Sequence, residues 1–164
     1  MFNRTEQIVI SPFSKQFPME IKTGVNAKNY PYWSEVINTL NKDFIIEQIG
    51  IEGEEEIKGI DKFSIGLSLN DLKKKAKEIT TWIAVDNFFP HLCNVVNIKG
   101  IVIFTLSDPL IFGYRQNINI LKDRKYLRES QFQHWFKEPY CIDAAVESQV
   151  VIDAVYALVK ELKL

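Results

Sequence analysis

An α/β fold with helices on both faces of a mostly parallel sheet is predicted by three observations. Apolar strands and amphipathic helices alternate along the chain, the strands are near-continuous apolar runs, and 164 residues suit one compact domain. A strand covered on both faces has no polar side, so it reads as an unbroken Val/Ile/Leu run. These features together predict a single Rossmann-like domain spanning residues 1–164.

The elements follow in order. Ile8-Val9-Ile10 is β-branched and stops at Ser11-Pro12, a short buried strand running into a loop. That loop, Ser11 to Asn29, carries Pro12, Pro18, Gly24 and the lysines Lys15, Lys22 and Lys28; loops of such length in compact domains tend to be functional. Tyr30-Pro31-Tyr32-Trp33 opens a helix whose apolar face is Trp33, Val36, Ile37 and Leu40 and which ends near Asn41. Phe44–Ile49 is the second strand, broken by Gly50 into an acidic turn, Ile51–Glu56, whose glutamates suit the opening of a helical turn. Ser68 or Asn70 caps the next helix, Lys73–Glu78, which presents Leu72, Ala76 and Ile79 on one face. Thr80–Val85 is the third strand, stopping at Asp86; a short helix begins at Pro90 and runs through Asn97; Ile101–Phe104 is the fourth strand. Beyond Pro109 the pattern is irregular, with Phe112-Gly113-Tyr114 and Asn117-Ile118-Asn119 read as surface loop, and a final helix over Ile142–Leu162 closes the fold.

Composition narrows the function. Twenty basic against twenty-one acidic side chains give a net charge of −1, so there is no chain-wide attraction for nucleic acid or anionic lipid. An anionic ligand must be held locally. Cys93 and Cys141 are too few for a disulfide framework and read as reduced thiols of a cytoplasmic protein. The first residues lack the apolar core of a signal peptide, and no apolar run approaches the ~20 residues needed to cross a bilayer, so membrane insertion is not expected. His134 beside Trp135 has no second ligand at metal spacing; neither a metal nor a cofactor is expected. The sequence has no G-x-G-x-x-G, no Walker-type phosphate loop and no G-x-S-x-G elbow.

In an open parallel sheet, ligands bind outside the carboxyl ends of the strands, near the point where strand order reverses. Here those loops begin at Ser11, Gly50, Asp86 and Thr105, and they hold Ser14, Lys28, Glu54, Asp86, His91, Ser107 and Asp108. The third loop is the most informative: Asp86-Asn87-Phe88-Phe89 passes from a strand into a helix, and a helix N-terminus suits a phosphate. His91 in the first turn can donate to a phosphate oxygen, while Asp86 repels phosphate and is assigned to capping the turn or orienting donors. The competing reading makes Asp86 only a cap, His91 a partner for a backbone group, Lys28 a solvated charge and Glu54 part of a solvated turn.

These segments resemble the C-terminal, nucleotide-sugar-binding half of GT-B glycosyltransferases, in particular the heptosyltransferase-like family. Ile8–Ser14 with Lys28-Asn29-Tyr30-Pro31 is similar to that family's first strand, its Ser- and Lys-containing loop and its Lys-x-aromatic-Pro sequence. Ile49–Glu55 is similar to its strand followed by a Gly-Glu-Glu turn, and Leu67–Leu72 to its next helix start. Asp86–Leu92 resembles its Asp-(Ser/Thr)-Gly-x-x-His-Leu, with Asn87-Phe88 in place of Ser/Thr-Gly, and Phe104–Pro109 resembles its Phe-Gly-x-(Ser/Thr)-Asp-Pro. The resemblance implies that Ser14 and Lys28 approach a diphosphate, Glu54 a ribose, and Asp86, Asn87 and His91 frame the phosphate loop, with Ser107 and Asp108 in the same set. The implied ligand is a nucleotide diphosphate sugar. GT-B enzymes carry a second domain that binds the acceptor and supplies the base, so glycosyl transfer by this chain implies a separate acceptor-binding domain or subunit. The alternative is a noncatalytic interaction protein on the same scaffold, using Phe112–Tyr140 for a partner.

Overall fold

A computed structural model of the chain describes residues 4–14, 26–132 and 139–163. Lys15, Lys22 and the His134-Trp135 pair lie outside them. Among the described residues the sheet has six strands, β1 (Gln7–Ser11), β2 (Ile45–Gly50), β3 (Lys62–Ile65), β4 (Thr81–Val85), β5 (Ile101–Phe104) and β6 (Ile118–Leu121). They are ordered β3-β2-β1-β4-β5-β6 and every neighbouring pair is parallel. This is the doubly wound order whose switch point falls between β1 and β4.

Side-chain alternation along each strand explains why both faces had to be apolar. Ile8, Ile10, Ile83, Val85, Ile101 and Ile103 point to one face, where α1 (Trp33–Leu40) and α5 (Ser148–Glu161) cover them. Val9, Trp82, Ala84, Val102 and Phe104 point to the other, under α2 (Leu69–Glu78) and α3 (Phe88–Val95). Each such aliphatic side chain contributes ~1.5–3 kcal/mol by leaving water. Gly100 has a packing reason of its own: a Cβ there would run into the Trp82 indole, whose Nε1 donates to the Ile98 carbonyl at 3.1 Å. Among the described residues no helix is long and apolar enough to cross a membrane.

Several boundaries differ from those expected. β3 was not anticipated, and Asn117–Asn119 leads into strand β6 rather than lying in a surface loop. Both are edge strands with polar residues at alternate positions, Lys62 and Ser64 in one and Asn119 in the other, so neither shows the continuous apolar run of a central strand. The last helix starts at Ser148, not Ile142, because Ile142–Ala144 is a 3₁₀ turn followed by the buried Ala145 and Val146. Pro31 precedes α1, which begins at Trp33, and the acidic segment forms an open turn, with Gly53 at φ +88° and the Glu54 N–H donating to the Ile51 carbonyl, rather than a helical turn. Ser68 is the cap of α2, accepting from the Asp71 N–H at 3.2 Å.

One charged group sits inside the sheet. Glu47 on β2 is buried and receives Ser64 Oγ and Gln7 Nε2, each at 2.5 Å, and Lys75 Nζ of α2 at 2.8 Å. Burial pushes its carboxyl up, but the Lys75 and Ser64 hydrogen bonds and the charges of Lys75 and Lys62 outweigh it and leave the carboxyl below the ordinary value of 4.5. A depressed carboxyl contributes stability above its unfolded-state value that is lost as pH falls through the folded one. Urea melts below pH 4.5 should therefore show the wild type losing more stability with falling pH than Glu47→Gln, whose side chain does not titrate; parallel pH profiles would contradict this.

Candidate functional site

The loops leaving β1 and β4 meet at the switch point, and one side chain joins them. Asn87 has an extended backbone and caps α3, its Oδ1 accepting from the Phe89 N–H at 2.9 Å. Its Nδ2 donates across the sheet to the Ser11 carbonyl at 3.1 Å, the Ser11 Oγ at 2.9 Å and the Phe13 carbonyl at 3.0 Å. The cap expected of Asp86 is thus made by Asn87, and α3 begins at Phe88, two residues before Pro90.

Asp86, relieved of capping, pairs with Lys28 Nζ at 2.7 Å, with side chains 8% and 17% exposed. Lys28 reaches it because an asparagine turn clasps the first loop: the Lys28 N–H donates to Asn26 Oδ1 at 2.9 Å, Asn26 Nδ2 to the Ser14 carbonyl at 3.1 Å, and the Ser14 N–H to Asn29 Oδ1 at 3.0 Å. Asparagine suits such local bonding because its amide offers both donor and acceptor within reach of the backbone. A cavity of about 350 Å³ opens here, with Ser14, Lys28, Asp86, Asn87 and His91 on its wall. Phe88 and Phe112 supply its apolar sides. His91 Nδ1 lies 2.8 Å from the Tyr114 hydroxyl, the rings edge-on at 5.6 Å and 81°.

A second cavity of about 310 Å³ shares Asn87 and Phe88 with the first. It is mostly apolar, bounded by Ile49, Leu67, Leu72 and Phe89, and Glu54 stands at its polar edge. Glu54 folds back over Gly50, accepting the Ile51 N–H at 3.2 Å, and a Cβ at position 50 would meet its carboxylate. Burial raises the Glu54 carboxyl above the ordinary glutamate value, against the opposing pull of the Ile51 N–H. Phe88 stands 59% exposed between the two cavities, at the position where the resembled motif has glycine.

The structure therefore brings Ser14, Lys28, Asp86, Asn87 and His91 to one cavity and Glu54 to its neighbour. Ser107 and Asp108 line neither. Asp108 is occupied in holding the fold: it caps α4 (Pro109–Phe112) through the Leu110 N–H at 2.9 Å and takes a two-pronged ion pair from Arg124 at 2.6 and 3.1 Å. That guanidinium, aided by the Leu110 N–H, holds the Asp108 carboxyl below its ordinary value against a smaller effect of burial. Tyr114 and Phe112 were not anticipated, since they come from the irregular stretch with no motif to mark them. Burial pushes the Cys93 thiol up to about 12, far from a reactive thiolate. Among the described residues no three His, Cys, Asp or Glu side chains are grouped to hold a metal ion.

No protein-family model and no curated protein sequence matches the chain. Solved structures do. The glycosyl transferase family 9 structure from Veillonella parvula matches with a TM-score of 0.72 at 14% identity, over 98% of this chain and 48% of the other. The E. coli ADP-heptose lipopolysaccharide heptosyltransferase II matches at 0.66 and 12%, again over 98% and 48%. The dodecameric iron-containing heptosyltransferase TibC of enterotoxigenic E. coli, solved in complex with ADP-D-beta-D-heptose, matches at 0.68 and 15%, over 96% and 46%. The chain spans about half the length of these structures, and at such identities what it shares with them is the fold. The resemblance drawn from the motifs and the architecture agree.

Proposed function

We propose that the chain binds a nucleotide diphosphate sugar across the two cavities, as a glycosyltransferase-like half that transfers the sugar only with a separate acceptor-binding domain or subunit. The observation that carries this reading is the pair of cavities sharing Asn87 and Phe88 at the sheet's switch point, one mainly apolar with a carboxylate, the other with the Lys28–Asp86 ion pair and an imidazole. A nucleobase fits the first, with Glu54 accepting from ribose hydroxyls. The diphosphate fits the second, with Lys28, the Ser14 hydroxyl and His91 as donors, where they would also steady the diphosphate as it leaves during transfer. TibC, similar in fold, is seen with ADP-heptose. Two free cysteines, one of them buried, suit a cytoplasmic setting.

Calorimetric titration with ADP, UDP, GDP, their hexose conjugates and inorganic pyrophosphate tests this. Binding in the micromolar range by at least one nucleotide, roughly 6–8 kcal/mol, is expected. Silence towards all of them at millimolar concentration would remove the reading. Glu54→Ala should weaken the nucleotide about tenfold, the loss of a hydrogen bond to a charged group, and leave pyrophosphate unchanged. An equal loss for both would take Glu54 out of the ribose site. The scaffold alternative uses Phe112–Tyr140 for a partner, and Phe132 within it is 76% exposed. It gains if all nucleotides are silent while the chain captures a protein partner that Phe132→Ser releases.

A further inference from the structure

We infer that Tyr114 is a positioning residue for His91: its hydroxyl donates to Nδ1 and fixes the neutral imidazole with its proton on Nε2, the nitrogen left to donate to an anion in the cavity. The ligand half of this inference rests on the proposed function; the hydrogen bond itself does not.

The geometry is that of a directed bond. Nδ1 and the phenol oxygen are 2.8 Å apart, and the edge-on ring contact holds the two side chains in one relative orientation. A neutral imidazole has one donor and one acceptor nitrogen, and a phenol is a stronger donor than acceptor, so the bond favours O–H to Nδ1. The His91 side chain makes no other hydrogen bond among the described residues. Tyr114 is itself held in place. Its carbonyl accepts from the Asn117 N–H at 3.0 Å and from Asn119 Nδ2 at 2.9 Å. Just before it, Gly113 passes so close to the Pro109 carbonyl and the Asn119 side chain that no Cβ fits. The segment between α4 and β6 thus carries the phenol to His91 as part of the sheet edge. A histidine whose tautomer is fixed by a partner on its other nitrogen is pre-organised as a donor.

The chain has two histidines, His91 and His134, so ¹⁵N-histidine spectra recorded well above the ordinary imidazole value of about 6.5 are simple, and His91→Gln assigns them. Wild-type His91 is expected as the Nε2–H tautomer with a hydrogen-bonded Nδ1, and Tyr114→Phe should move the Nδ1 resonance to that of an unbonded imidazole. An Nδ1–H tautomer in the wild type, or an unmoved resonance in Tyr114→Phe, overturns the positioning role. Pyrophosphate affinity should fall about fivefold in Tyr114→Phe, with no further fall when Tyr114→Phe is added to His91→Gln. Additive losses would mean that Tyr114 acts on the ligand independently of His91. If the wild type is silent towards pyrophosphate and every nucleotide, the donor role falls with the proposed function; if it binds a nucleotide but not pyrophosphate, the affinity comparison is made with that nucleotide, and in either case the spectra alone decide whether Tyr114 fixes the ring.

Discussion

Asn87→Asp is expected to destabilise the protein by about 2–3 kcal/mol, although aspartate caps helices as well as asparagine does. The cap uses Oδ1, which aspartate keeps. What aspartate lacks is the amide N–H pair that bonds the Ser11 carbonyl, the Ser11 hydroxyl and the Phe13 carbonyl. A carboxylate oxygen placed there faces two carbonyl oxygens as acceptor against acceptor, and each part-buried carbonyl left without its donor costs about 1 kcal/mol or more. Asn87→Ala loses both functions but adds no repulsion, so the two variants should fall within about 1 kcal/mol of each other in urea unfolding. If Asn87→Asp unfolds at the wild-type urea midpoint, the cross-sheet bonds contribute nothing and the residue is a cap alone.

Lys28 and Asp86 should behave unequally. Lys28→Met leaves a carboxylate that is 8% exposed without its counter-ion, which costs about 3 kcal/mol for a pair this buried. Asp86→Asn removes the charge itself and should cost about 1 kcal/mol, with the amide still able to bond locally. The double variant should recover at least half of the Lys28→Met loss, because neither charge is then stranded. Binding should move in the opposite direction: Asp86→Asn removes the carboxylate paired with Lys28 and with it a repulsive charge on the cavity wall, so diphosphate affinity should rise about tenfold in calorimetry. Unchanged affinity would mean that the ligand does not compete for Lys28.

Much of this was legible in the residues. β1, β2, β4 and β5 stood out because central parallel strands bury both faces, and a short β-branched apolar run such as Ile101–Phe104, bounded by Gly100, fits such a strand better than a buried helix segment. β3 and β6 did not, because an edge strand buries less and Lys62, Ser64 and Asn119 dilute its signal. The loops of the candidate site were located by topology and motif order. Their internal pairings were hidden, since Asp86 and Asn87 are both good caps and their roles go with tertiary partners far away in the chain, Lys28 for Asp86 and Ser11 and Phe13 for Asn87. The His91–Tyr114 bond was beyond reach for the same reason: it joins α3 to an irregular segment that only the β5–β6 pairing brings alongside.

The switch point also divides the chain. Among the described residues, those through α2 build one half of the sheet, those from β4 onward build the other, and the backbones of the halves are hydrogen-bonded only where β1 runs beside β4. Glu54 and the Lys28 loop belong to the first half, Asn87 and His91 to the second. A molecule lying across Phe88 would therefore work as a rivet through a seam, its binding energy drawing on both halves and holding them together. Recognition and cohesion would then be one event, and the ligand would be a structural member of the protein as much as its cargo.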